Sequence, residues 1–235
     1  MFDSAVREGV LQLARPDTKW LSSGWNGGFS DANAAYNISV PKGFQRTDLD
    51  AYIDERRTSA RFDRPGPALL TGVDLRHARG AGRGSVEAIV TAGVSNPAAL
   101  PIDPSNETES IADASDEGPA YGTVNVIVGT THALDDGSLA TLLSVAVEAK
   151  TATLLAETGF PGTTTDATIA ACDPNGNEAT FAGSGTPIGA AARACVRDAV
   201  QASLRSRYAT RPVPSSVEDA KYGVTTEVRT ETFHP

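Results

Sequence analysis

Apolar and polar positions along this chain alternate first with a period near two, then with a period near 3.6, and these changes mark out its elements. Residues 9–15 and 19–24 read as short strands broken at Arg15-Pro16, and Asn37 to Val40 reads as another. Leu49, Tyr52, Ile53 and Ala60 repeat at helical spacing behind Thr47, which predicts a helix capped by that threonine. Ala68 to Val73 is a short apolar run that ends at Asp74. Val86 to Val90 predicts a strand, closed by Thr91-Ala92-Gly93-Val94-Ser95-Asn96-Pro97. Gly122 to Val128 alternates as a strand, and a long helix follows from about Asp136 to Glu157, with Gly159 as its C-terminal cap.

The same order then recurs. Asp166 to Ala171 parallels Glu87 to Ala92, Asn177 to Ala182 parallels 122–128, and Thr186 opens a second long helix to about Tyr208. Strand, strand and helix twice over predict an internal duplication around one shared sheet. Short connections favour antiparallel pairing, so the fold class is α+β, a mainly antiparallel sheet with two long helices. Residues 1–235 are expected to form a single domain. Residues 101–119 hold six carboxylates and no basic group, which predicts an acidic surface loop. Residues 209–235 form a C-terminal extension, with an edge strand expected at Val224 to Thr230.

On the first long helix, Leu139, Leu143, Ala146 and Leu154 share one face at about 100° per residue. Lys150 lies eleven residues past Leu139 and points within about 20° of it, into the apolar face. Glu148 falls almost opposite. An unpaired buried ammonium is strongly disfavoured, so Lys150 either snorkels past the sheet edge, meets a carboxylate, or does chemistry. On the second helix Ile188, Ala192, Cys195, Ala199 and Ala202 make a small-residue face, which assigns Cys195 to the core. Cys172 precedes a turn, Asp173-Pro174-Asn175-Gly176, and is read as structural too.

Composition narrows the function. The formal net charge is -9, which argues against nucleic acid or an anionic membrane as partner. Acid excess with only four lysines suggests a salt-loving cytoplasm, because high salt screens the self-repulsion. The pattern shows no apolar run approaching transmembrane length and no basic-then-apolar leader signal, so a soluble, cytoplasmic protein is expected. His77, His132 and His234 are isolated, so no metal site is expected. No serine-hydrolase elbow, Walker loop or dinucleotide fingerprint is present, and no cofactor is expected.

What remains is Ser22-Ser23-Gly24-Trp25-Asn26-Gly27-Gly28 and a set of polar strand ends. Glycines at 24, 27 and 28 let a ligand approach the backbone, Trp25 offers a broad apolar face, and Asn26 offers amide donors and an acceptor. A glycine-rich turn pinned by a packing tryptophan is the plain alternative. Asp74, Ser95, Asn96, Asn125 and the run Gly162-Thr163-Thr164-Thr165-Asp166 are polar groups at or near strand ends, suited to a cleft. Taken singly, each is as well explained as a turn former or cap.

Together these residues resemble the adenosylcobinamide amidohydrolase family of archaeal corrinoid salvage. The likeness rests on Gly24-Trp25-Asn26-Gly27-Gly28, Leu70 to Asp74, Thr91 to Pro97, Gly122 to Ile127, Glu148-Ala149-Lys150 and Gly162 to Ala167, in that order. Val147 stands where the family has threonine. The resemblance implies a corrinoid substrate whose aminopropanol amide is hydrolysed to adenosylcobyric acid and 1-amino-2-propanol. Amide hydrolysis needs a nucleophile, a home for the oxyanion and a proton for the amine. Lys150 or Glu148 is the expected proton shuttle, and Asn26 or the Gly27-Gly28 amides the expected oxyanion donors. The attacking group is either water activated by Asp74, Asp166 or Glu148, or a hydroxyl among Ser95, Thr163 and Thr164. Trp25, Asn26, Gly27, Gly28, Asn96, Asn125, Thr163 and Thr164 are the expected substrate-binding residues. An amidase for another small molecule and a non-catalytic corrinoid carrier are the rival readings, and a homo-oligomer is compatible with each.

Overall fold

The longest strand runs straight through the proline at which the pattern predicts a break. In a computed structural model that describes residues 1–103, 123–220 and 222–235, β1 spans Asp3–Arg7 and β2 spans Val10–Ser22 without interruption. The register slips between Ala14 and Thr18, where Asp17 takes a positive φ of 49° and its N–H donates to Asn33 Oδ1. A bulge tolerates the missing donor of Pro16, so strand continues where sequence rules expect an end. β3 (Gly28–Ser39) returns antiparallel to β2. Its first half, Phe29 to Asn33, is mostly polar and exposed, which hid it from the pattern.

After β3 come α1 (Leu49–Ser59), β4 (Ala68–Thr71), a 3-10 turn at Leu75–His77, β5 (Arg79–Arg83), β6 (Val86–Ala92) and β7 (Ala98–Ala99). Asp48, not Thr47, holds the cap position of α1. β8 (Val124–Thr130), α2 (Asp136–Thr158), β9 (Ala167–Cys172), α3 (Pro187–Arg207) and β10 (Val224–Thr225) complete the described chain. Most of the expected acidic loop lies outside the described residues. Asp135 accepts from Ser138 N at the start of α2, and Gly159 ends it at φ 78°. Thr186 caps α3 with Pro187 in its first turn. The two long helices thus start, and α2 stops, at residues suited to capping.

The main sheet has eight strands in the order β4-β3-β2-β9-β8-β6-β5, with β1 beside β2. Among the described residues of this sheet only β3–β4 and β8–β9 pair parallel, so the α+β, mainly antiparallel class holds. The second half of the expected duplication is incomplete. Asn177 to Ala182 forms no strand and makes only a bridge between Glu178 and Ala133. The C-terminal strand is also shorter than expected: β10 has two residues and pairs with β7, away from the main sheet.

Alternation sorts side chains into three cores. Val86, Ala88, Val90, Val124, Val126 and Val128 point under α2 and α3. α2 is long and apolar enough by itself to cross a membrane, contrary to the reading of the pattern; in the fold its buried face forms part of this core. Ala34, Tyr36 and Ile38 point toward Tyr52 and Ile53 of α1. Between these layers the sheet curls over itself, so that Leu11, Leu13, Trp20, Ala35 and Leu69 meet Ile89, Ile127 and Ile169. Helices therefore cover both outer faces of a folded sheet.

A polar seam crosses that inner layer. Asn37 Nδ2 donates to Thr91 Oγ1 at 2.9 Å, and Asn125 Nδ2 donates to Asn37 Oδ1 at 3.0 Å and to Leu70 O at 2.9 Å. All three side chains are at most 3% exposed. Buried amides are stable only when satisfied, so the seam sets how β3 and β4 sit against β6 and β8. Asn125→Ala leaves Asn37 Oδ1 and Leu70 O without that donor. It should lower unfolding free energy by about 2–4 kcal/mol, read as a shifted urea midpoint at constant salt.

Candidate active site

Parallel pairing of β8 with β9 aligns Asn125 with Ala167, and so brings Asp166 beside the first residue of β8. Val124 N donates to Asp166 Oδ1 at 2.8 Å, and Thr163 N donates to Oδ2 at 3.1 Å. The Thr163 hydroxyl donates to Oδ1 in a very short contact. From α2, Lys150 Nζ reaches Oδ2 at 2.5 Å. The Lys150 and Asp166 side chains are 8% and 11% exposed. The ammonium on the apolar helix face has thus met a carboxylate, the second of the three expected outcomes. Burying both charges together avoids the larger penalty of burying either alone.

The loop that carries these groups is held from the other side. Ala98 N donates to Gly162 O at 3.0 Å and Thr164 N to Asn96 O at 3.2 Å. Asn96 Nδ2 donates to Thr164 Oγ1 at 2.6 Å. A Cβ on Gly162 would lie 2.8 Å from Asp166 Oδ2 and 3.7 Å from Lys150 Nζ. Glycine at this position therefore leaves the pair unobstructed.

Asp166 forms part of the wall of a cavity of about 360 Å³, with Thr123, Thr165, Thr71 and Ser23 as polar neighbours. Phe44, Leu69, Leu70 and Trp25 make its apolar side. Thr123 Oγ1 sits 3.0 Å from both Asn125 Oδ1 and Thr165 O, which joins the cavity wall to the polar seam. Trp25 is 49% exposed, and its Nε1 donates to Asp50 Oδ1 at 3.0 Å. Its turn is tight: a Cβ on Gly27 would stand 2.3 Å from Ser22 O, and Asn26 adopts φ 47°. A second hollow of about 490 Å³ shares Trp25 as a wall and is lined by Asn26, Gly27, Gly28 and Asp31. Trp25 therefore stands as a ridge common to two hollows.

The residues singled out from sequence separate into two groups. Lys150, Asp166, Thr163, Thr164 and Asn96 come together, and Asp166 shares a cavity wall with Trp25. Asn26, Gly27 and Gly28 line the second hollow. Glu148 is exposed on the outer face of α2, where Arg193 Nη1 lies 3.3 Å away. Asp74 is exposed and caps the 3-10 turn by accepting from Arg76 N at 2.9 Å. Ser95 is half-buried in the turn between β6 and β7, and Asn125 is interior, within the seam. Thr165 belongs to the threonine run expected at a cleft; Thr123 and Thr71 stand within the sequence motifs without a role drawn from them, and nothing in the pattern marks Phe44. Cys172 and Cys195 are buried and unpaired, and burial pushes both thiols up from their usual range, as expected of core residues. Among the described residues no group of three or more His, Cys, Asp or Glu is placed to hold a metal ion.

A hydroxyl donated to a carboxylate, with an amine on that carboxylate's other oxygen, can pass a proton from an attacking oxygen to a leaving group. That is the chemistry of a hydrolase. The sequence profile of the family described as adenosylcobinamide amidohydrolase matches residues 2–212. A protein of that name from Halobacterium salinarum is 51% identical over the whole of both chains. Another, from Methanosarcina mazei, is 28% identical over 83% of this chain and 94% of its own. Among solved structures, a Burkholderia sp. beta-aminopeptidase aligns over 87% of this chain and 80% of its own at 13% identity and a TM-score of 0.41. The protein is a hydrolase that acts on an amide C–N bond. It belongs to the adenosylcobinamide amidohydrolase family. The acid-rich, lysine-poor composition agrees with the Halobacterium relative.

Removing one member of a buried ion pair strands the other. Lys150→Met and Asp166→Asn should each cost about 3–5 kcal/mol of stability, while the double variant should cost less than the two losses added. Urea unfolding of the four proteins at one salt concentration measures this.

Proposed function

We propose that this enzyme hydrolyses the amide between the corrin propionyl arm and 1-amino-2-propanol in adenosylcobinamide. The products are adenosylcobyric acid and the free amino alcohol, and the reaction returns scavenged corrinoid to coenzyme synthesis in the cytoplasm of a salt-adapted cell. Family membership and the 51% identical relative support the substrate. The observation that carries the reading is Asp166, held by Lys150 and Thr163, on the wall of a cavity that an exposed indole also lines. About 360 Å³ suits an amide side arm rather than a macrocycle, so the flat ring rests outside against Trp25.

Thr163 is the best-supported nucleophile, because its hydroxyl already donates to Asp166 Oδ1. Its oxygen attacks the amide carbon as Asp166 takes that proton. The C–N bond then breaks, the amine leaves with a proton from Lys150, and Asp166 restores that proton to Lys150. Water next attacks the ester, giving a proton to Asp166, which returns it to the Thr163 oxygen as the acid departs. Atoms and protons balance over the cycle, with one water consumed.

Purified protein in high salt, incubated with adenosylcobinamide, should yield adenosylcobyric acid by mass together with free 1-amino-2-propanol. Binding without release of the amine would indicate a corrinoid carrier and end the proposal. For the nucleophile, Thr163→Val should lower kcat at least about a thousandfold while Thr163→Ser retains measurable turnover. A folded Thr163→Val protein with unaltered kcat would return the role to water.

A further inference from the structure

Asn96 is fully buried, yet only half of its amide is used. Nδ2 donates to Thr164 Oγ1 at 2.6 Å, whereas Oδ1 has no hydrogen-bond partner among the described residues. An unfilled buried acceptor costs free energy, and tethering the loop does not require it. The Asn96 carbonyl already accepts from Thr164 N at 3.2 Å, and Ala98 N already holds Gly162 O at 3.0 Å. What the side chain adds is a direction. A hydroxyl that accepts a hydrogen bond from Asn96 has its own proton turned away from Asn96.

Thr164 is exposed, between Thr163, whose hydroxyl is committed to Asp166, and Thr165, which lines the cavity. We propose that the Thr164 hydroxyl is a catalytic hydrogen-bond donor to the scissile carbonyl oxygen, and that Asn96 is the positioning residue that aims it. This rests on the amide-hydrolysis reading and replaces Asn26 and the Gly27-Gly28 amides as the oxyanion donors. Those groups line the second hollow, with the Trp25 ridge as their shared boundary with the cavity. The same contact argues against Thr164 as nucleophile, since one of its lone pairs is occupied and its hydroxyl has no carboxylate partner among the described residues, unlike that of Thr163. As the carbonyl gains negative charge the bond from Thr164 strengthens, so its contribution falls on kcat rather than on KM.

The test is steady-state release of 1-amino-2-propanol from adenosylcobinamide by four variants, each checked for an unchanged thermal midpoint. Thr164→Val should lower kcat about a hundredfold with KM within about threefold, and Thr164→Ser should restore most of it. Asn96→Asp has no N–H to offer and accepts the Thr164 proton instead, which turns it inward. It should therefore match Thr164→Val, and the double variant should be no slower than Thr164→Val alone. A folded Thr164→Val enzyme with wild-type kcat, a change in KM alone, or multiplicative losses in the double variant would overturn the assignment. Should Asn96→Asp fail to fold, the Val and Ser replacements of Thr164 decide it. Wild-type enzyme that releases no amine at all would instead bring down the substrate reading beneath it.

Discussion

One buried charge pair organises this molecule. Lys150 enters from the helix layer and Asp166 from the start of β9, and they meet where β8 and β9 begin. Neither group is stable in that position alone. Their joint burial ties α2 to the sheet and brings the Thr163 loop against β8 through Val124 N. The carboxylate takes four hydrogen bonds from three residues: one from Val124, two from Thr163 and one from Lys150. A group held from that many directions is stiff, which is what transfer of a proton at a fixed atom requires.

A second tie crosses the interior, the Asn37–Asn125–Thr91 seam. A sheet curled over itself by apolar packing alone is free to slide, because Ile, Leu and Ala contacts specify distance better than register. Satisfied amides between the two halves remove that freedom. The seam reaches the cavity at Thr123. Apolar packing, the polar seam and the charged pair thus lie in sequence from the interior to the cavity wall.

The surface follows a different logic from the interior. Net charge -9 with few lysines favours a strongly screened solvent, where self-repulsion is small. Ion pairs such as Arg193–Glu148 are exposed and contribute little under such screening. Lys150–Asp166 is shielded from that salt, so its contribution survives conditions that erase the surface pairs.

Local sequence alone determined what short-range physics controls. The cap Gly159, the helix start at Thr186, the apolar face of α2 with its inward Lys150, and the core positions of Cys172 and Cys195 were all legible, because capping and periodicity act within a few residues. The ordered motifs also carried the family. Tertiary structure decided the rest. Pro16 sits inside a strand because β3 supplies Asn33 to satisfy the bulge, and Asn177 to Ala182 stays out of the sheet despite resembling an earlier strand. Glu148 and Lys150, two residues apart, were both plausible proton shuttles; only the packing of α2 against β9 sends one to Asp166 and the other to Arg193 at the surface. Asn96 meets Thr164 across sixty-eight positions of chain. No local pattern encodes such a meeting, since it depends on which strands pair and in what register.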